Sequence, residues 1–224
     1  MKRTFSEFNE LIAKPMTQLI NDFISAILQV SIFTLIPFAF FLFRKDKTVT
    51  FFKYIGLYKP TAKSIALVLV VILISITSMI SVALANDGIK QAMLAPESVT
   101  GKFKAMGFNS LTIVSLLIMA IIKTSLSEEI FFRGFVGKRL INKLGFKRGN
   151  LIQAVIFGLV HLLLFWFLTK TTVLPLIVIT VFSTLMGWII GYIKEKYANG
   201  SIIPGWVAHG LGNTISYFII AFIL

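Results

Sequence analysis

Two histidines, His161 and His209, are the only ones in this 224-residue chain, and each lies in a stretch apolar enough to cross a bilayer. A third apolar stretch carries the adjacent carboxylates Glu128 and Glu129. Titratable groups at membrane depth are expensive on a lipid-facing surface, so their presence is itself a functional signal. Brought together from three helices, they hold the makings of an acid–base site or a metal site within the membrane. On a helix Glu129 and Arg133 are i,i+4 neighbours, placed for a charge pair on one face. Glu128 is rotated from Glu129 by about 100°, since a turn holds about 3.6 residues. The two carboxylates can therefore do different work, Glu129 in a structural pair with Arg133 and Glu128 turned into a cavity. Phe157 and His161 share a face at the same spacing, and so do His209 and Asn213. Each segment alone also admits a plain reading: interfacial acids at a helix end, a packing histidine, an imidazole bonded to an amide.

The elements that must position these residues follow from composition. Hydrophobic residues make up 57% of the chain and charged ones only 14%. A soluble domain needs more polar surface than that, which points to a polytopic membrane protein. Six apolar segments stand out, at about 23–43, 62–85, 109–130, 150–168, 172–193 and 202–224. Each is near the roughly 20 residues that cross a hydrocarbon core. The third runs through Lys123 into the acidic pair, and its helix is expected to continue toward Leu144. The expectation is an all-α membrane bundle of about six transmembrane helices plus short interfacial ones, a single integral domain over 1–224. Residues 1–16, with Phe5, Phe8, Leu11 and Ile12 among charges, read as an amphipathic interfacial helix stopped near Pro15. Asp22 is expected at the start of the first span, where a carboxylate complements the helix dipole. The apolar run that follows is too long for a cleaved signal peptide. Residues 44–61 mix lysines with aromatics and read as a second interfacial segment. Gly158 permits close approach of another helix, and Gly187 with Gly191 reads as helix packing.

The net charge is +13, from 22 Lys and Arg against 9 Asp and Glu. The basic residues lie mostly between apolar segments, which favours a role in topology and lipid contact over nucleic-acid binding. Segments 44–63, 131–149 and 194–201 hold fourteen of them, against seven in the N-terminal segment, residues 86–108 and the turn at Lys170. The positive-inside rule places the first set in the cytoplasm and both termini outside. With no cysteine, disulfides, thiolate metal sites and a cysteine nucleophile are excluded.

The pattern Glu128-Glu129-x-x-x-Arg133, Phe157-x-x-x-His161, His209-x-x-x-Asn213 resembles, in order and type, the three motifs of the CPBP family, the CAAX prenyl endopeptidases and their bacterial Abi relatives. The resemblance covers about residues 120–217 and implies an intramembrane endopeptidase in a bacterial cytoplasmic membrane. Its substrate is implied to be a membrane-associated, lipidated or hydrophobic polypeptide. Carried over residue by residue, it implies Glu128 as general base on a water shared with His161, and His209 with Asn213 as oxyanion donors. Glu129, Arg133 and Phe157 would support them. No cofactor is required by that scheme. The other chemistry open to the family is zinc, held by Glu128, His161 and His209 with water in the fourth position. Against zinc stand the lack of HExxH and the poor ligand character of Asn213. A non-catalytic membrane scaffold that regulates a partner protein is the alternative to an enzyme. A proton relay or transporter is weaker, because the six segments show no inverted repeat.

Overall fold

The computed structural model describes residues 5–44 and 48–224. Residues 1–4 and 45–47 lie outside the described residues, and with them part of both interfacial segments read from sequence. Ten α-helices and two π-helical stretches make up the described chain, with no strand among the described residues. Helix α1 is Phe5–Leu42, α2 is Phe51–Ile55 and α3 is Ala62–Ala85. Short helices α4 (Asp87–Met93) and α5 (Val99–Met106) follow. Next comes a continuous composite helix, Ser110–Leu144. It consists of α6 (Ser110–Leu117), π1 (Ile118–Leu126), π2 (Glu129–Gly137) and α7 (Lys138–Leu144). The chain finishes with α8 (Phe146–Thr169), α9 (Val173–Tyr197) and α10 (Ile203–Phe222).

Five of these helices are long and apolar enough to cross a membrane. The sixth apolar segment forms α10, which is 20 residues long, but His209, Asn213 and its glycines dilute its apolar character. The composite helix has 39% of its apolar window buried, against 11% for α1 and α3 and 22% for α8 and α9. It is the central post of the bundle, and the others turn rows of exposed Leu, Ile and Phe outward. Water would not tolerate such apolar surface, whereas lipid does. The chain is an integral membrane protein.

Two expectations for the N-terminal region are corrected. The helix does not stop at Pro15; α1 runs through both Pro15 and Pro37. A proline removes one intrahelical hydrogen bond, a defect that membrane helices absorb where neighbours pack around them. Asp22 therefore lies within α1 and caps nothing. It is buried and accepts hydrogen bonds from Gln18 (2.9 Å) and from Ser115 on α6, so it ties α1 to the central helix.

The segments rich in basic residues converge at one end of the bundle. There the Ile202 amide donates to the Gly56 carbonyl (2.9 Å), and the Tyr58 hydroxyl donates to the Asn199 carbonyl (2.6 Å). Burial, helped by Glu195, pushes the Tyr58 hydroxyl above the ordinary phenol range, which keeps it a donor. Gly56 ends α2 at φ 84°, and a Cβ there would lie 2.7 Å from the Gly200 carbonyl. Glycine is needed for both the left-handed turn and the close approach. At the other end α5 packs against α10 and α4 against α3 and α9, with Phe103 against Tyr217 and Phe108 against Phe218 and Phe222.

Candidate active site

The acidic pair sits where the central helix changes its winding. The backbone of π1 winds in i→i+5 register, and within it the side chains of Thr124 and Ser125 donate to the Met119 (3.0 Å) and Ala120 (2.5 Å) carbonyls. Such i→i+5 winding is rare and concentrates at functional sites because it redirects side chains within an otherwise regular helix. Ser127 and Glu128 return to α geometry before π2 begins at Glu129. From α1, Gln29 braces this junction by donating to the Lys123 carbonyl (2.9 Å) and the Ser127 hydroxyl (3.0 Å).

The two carboxylates leave the junction in different directions. Glu129 is fully buried, with Oε1 3.4 Å from Arg133 Nε and 3.4 Å from His209 Nδ1. Arg133, 1% exposed, lies with its guanidinium 3.9 Å from the centre of the Phe157 ring. A buried ion pair is stable only when both charges stay compensated, and the aromatic face supplies part of that here. Gly205 makes room for it: a Cβ at 205 would lie 2.5 Å from Glu129 Oε2 and 2.6 Å from an Ile190 methyl. Pro204 fits the first turn of α10, which brings this glycine down onto the carboxylate.

Glu128 lines a cavity of about 300 Å³ that His161, His209, Asn213 and Phe157 also line. Two histidines bracket its Oε2: His161 Nε2 at 4.0 Å and His209 Nε2 at 3.8 Å. Both distances exceed direct hydrogen bonds, and Glu128 Oε2 has no partner of its own. His161 is oriented by a 2.9 Å contact from Nδ1 to the Phe157 carbonyl. That nitrogen must donate, so the Nε2 lone pair of neutral His161 faces a carboxylate oxygen. Two acceptors pointed at each other call for a proton donor between them. A water about 2.8 Å from each of two acceptors 4.0 Å apart would see them at roughly 90°, near its own donor angle. Phe157 does triple duty, flooring Arg133, tilting against His161 (4.3 Å between rings) and meeting His209 edge-on (6.1 Å). Gly158 brings α8 against α9 at this level, since any Cβ would strike the Thr184 side chain.

Zinc can be tested against this geometry. The donor types, two imidazoles and a carboxylate, suit the ion. Tetrahedral ligands at about 2.0–2.2 Å stand roughly 3.3–3.5 Å apart. The 4.0 and 3.8 Å separations are wider by about half an ångström. Among the described residues no group of three His, Cys, Asp or Glu has ligating geometry. As arranged, the site is wider than a tetrahedral zinc would hold it.

Asn213 is placed differently from its sequence pairing with His209. Its amide donates to the Thr124 hydroxyl (3.1 Å) on π1, which leaves the second amide hydrogen for the cavity. Thr124, which also hydrogen-bonds the Tyr217 hydroxyl, is a residue that the motifs do not include. Tyr217 lines the same cavity. The signal for both was present as spacing: Tyr217 extends the four-residue period of His209 and Asn213, and Thr124 precedes Glu128 by four. Gly205 carried no such signal, because its role depends on a carboxylate from another helix.

Residues 110–215 match the family model described as Type II CAAX prenyl endopeptidase Rce1-like, and all three motifs fall within the match. No curated protein and no solved structure matches the chain.

Proposed function

We propose, for a chain that belongs over residues 110–215 to the type II CAAX prenyl endopeptidase Rce1-like family, an intramembrane endopeptidase that uses a glutamate-activated water. The observation that carries this reading is the unpartnered Glu128 Oε2 facing the His161 lone pair at 4.0 Å inside a cavity. The water held there donates to both. Glu128 takes one proton as the oxygen adds to the carbonyl carbon of the scissile bond. A role of this kind accounts for about 10²–10⁴ in rate. The carbonyl oxygen becomes an oxyanion, which His209 Nε2–H and the free Asn213 amide hydrogen receive. Loss of one such donor costs on the order of 3 kcal/mol. Collapse of the tetrahedral centre breaks the C–N bond, and Glu128 returns the proton to the departing amine. The products are a new carboxyl terminus and a new amino terminus.

His209 can act as a donor only with a proton on Nε2. Glu129 Oε1 lies 3.4 Å from Nδ1, on the far side of the ring. Arg133 and Glu129 thus position His209 rather than touch the substrate. The substrate is a hydrophobic or membrane-associated polypeptide, since apolar side chains form most of the cavity beyond the catalytic residues. The test follows cleavage of a fluorogenic hydrophobic peptide by the purified chain and by Glu128→Gln, His161→Ala and His209→Ala. Each substitution should lower turnover by about 10²-fold or more without loss of fold. Cleavage that survives all three removes the site, and folded, inactive variants that keep the cellular phenotype identify a scaffold.

A further inference from the structure

The two ends of the bundle treat the site differently. Toward the basic end it is sealed. Ile55, Ile130 and Ile202 form a buried cluster there, at 1%, 5% and 0% exposure. Gly134 presses directly on the Ile55 carbonyl, close enough that a Cβ would strike it, and the Ile202 amide closes onto Gly56. The buried Glu129–Arg133 pair lies just behind. Gly134 is six residues from Glu128, so the seal closes within about two helical turns of the carboxylate.

In the other direction the cavity continues. From Glu128 it runs between α3, α8, α9 and α10 to Thr169 at the end of α8 and to Met93 and Ser98 beside α4 and α5. Leu164 and Leu168 border it and are themselves 53% and 48% exposed, so its wall is open beside α8. Flexible Met79, Met93 and Met186 line it, a surface that adapts to varied apolar side chains. The end toward which it runs is the one poor in basic residues. With Arg133 set aside as part of the site, the sealed end carries eleven Lys and Arg and the cavity end five among the described residues. Basic segments are retained in the cytoplasm.

We infer that the site is reached from the side of the membrane opposite the cytoplasm. Its substrate is a hydrophobic polypeptide segment already translocated to that leaflet, not a tail presented from the cytosol. The inference rests on the peptidase reading for its substrate, but the sidedness stands on packing and charge alone.

The chain has no cysteine, so single cysteines report sidedness directly. Glu97→Cys marks the exposed cavity end, Lys143→Cys the exposed basic end, and Ser216→Cys the cavity itself. Cells expressing each full-length variant are treated with the membrane-impermeant thiol reagent methanethiosulfonate ethyltrimethylammonium, before and after permeabilisation. The expected result is equal reaction in both conditions at Glu97→Cys and Ser216→Cys, and reaction at Lys143→Cys only after permeabilisation. Thr169→Cys at the cavity mouth replaces Ser216→Cys if the latter does not accumulate. Reaction of Lys143→Cys in intact cells, or of the cavity cysteine only after permeabilisation, overturns the inference. A membrane-anchored reporter with its cleavable segment outside should be cut, and the same segment placed inside should not; the reverse preference also overturns it. Labelling needs no catalysis, so a parental chain that cuts neither reporter would refute the peptidase reading while leaving the sidedness result intact.

Discussion

Arg133→Met leaves Glu129 as an uncompensated charge in a fully buried position. At 3.4 Å and an effective dielectric of about 20, the pair interacts by roughly 5 kcal/mol, and breaking a buried pair typically costs about 3–5 kcal/mol. Glu129→Gln alone strands the guanidinium instead and should cost a similar amount. The double variant Glu129→Gln/Arg133→Met removes both charges and keeps comparable volume, so most of the loss should return. A residue of about 1–2 kcal/mol remains for the contact with Phe157, 3.9 Å from the guanidinium. For a chain of this size about 2–4 °C accompanies each kcal/mol, so each single variant should unfold roughly 6–20 °C below the parent in detergent. Activity should not return with stability, because His209 still lacks the carboxylate 3.4 Å from its Nδ1. Equal and additive losses in the three variants would refute the coupling. So would a double variant that regains full turnover, since His209 would then need no help from Glu129.

Other consequences are equally concrete. Gly205→Ala forces a methyl 2.5 Å from Glu129 Oε2, so thermal unfolding should show about 1–3 kcal/mol of overpacking together with reduced turnover; an unchanged protein would contradict the close approach. Asn213→Ala should lower kcat by about 10²–10³ with little change in KM, as loss of a transition-state donor does. Thr124→Val, which removes the acceptor that orients Asn213, should have a smaller effect in the same direction, and an effect confined to KM would assign Asn213 to ground-state binding. Activity of metal-assayed protein should persist through o-phenanthroline treatment, whereas loss that zinc restores would replace the glutamate mechanism.

The sequence made the chemistry legible before the scaffold. Glu128, His161, His209 and Asn213 stood out because polar residues at four-residue spacing are conspicuous in apolar segments, and all four line one cavity. The helices were legible for the same reason, through length and hydropathy. Their ends and faces were less so. In lipid both the inner and the outer face of a span are apolar, so the periodicity that marks the buried side of a soluble helix is weak. That is why α1 could not be seen to pass through Pro15, and why Asp22 looked like a cap when it is a cross-tie to Ser115. The π winding before Glu128 is a matter of hydrogen-bond register and left no compositional trace. His209 proved to stand between two carboxylates, a relation between helices that spacing within α10 could not contain.

The central claim is that Glu128 activates the attacking water. Its most direct test is the single-turnover rate of peptide-bond cleavage by Glu128→Gln reconstituted in lipid, with its unfolding curve measured alongside. The amide keeps the size of the side chain but cannot take a proton. The rate should fall by about 10²–10⁴ while the unfolding midpoint stays at the parental value. A folded Glu128→Gln protein that cleaves at the parental rate would contradict the account.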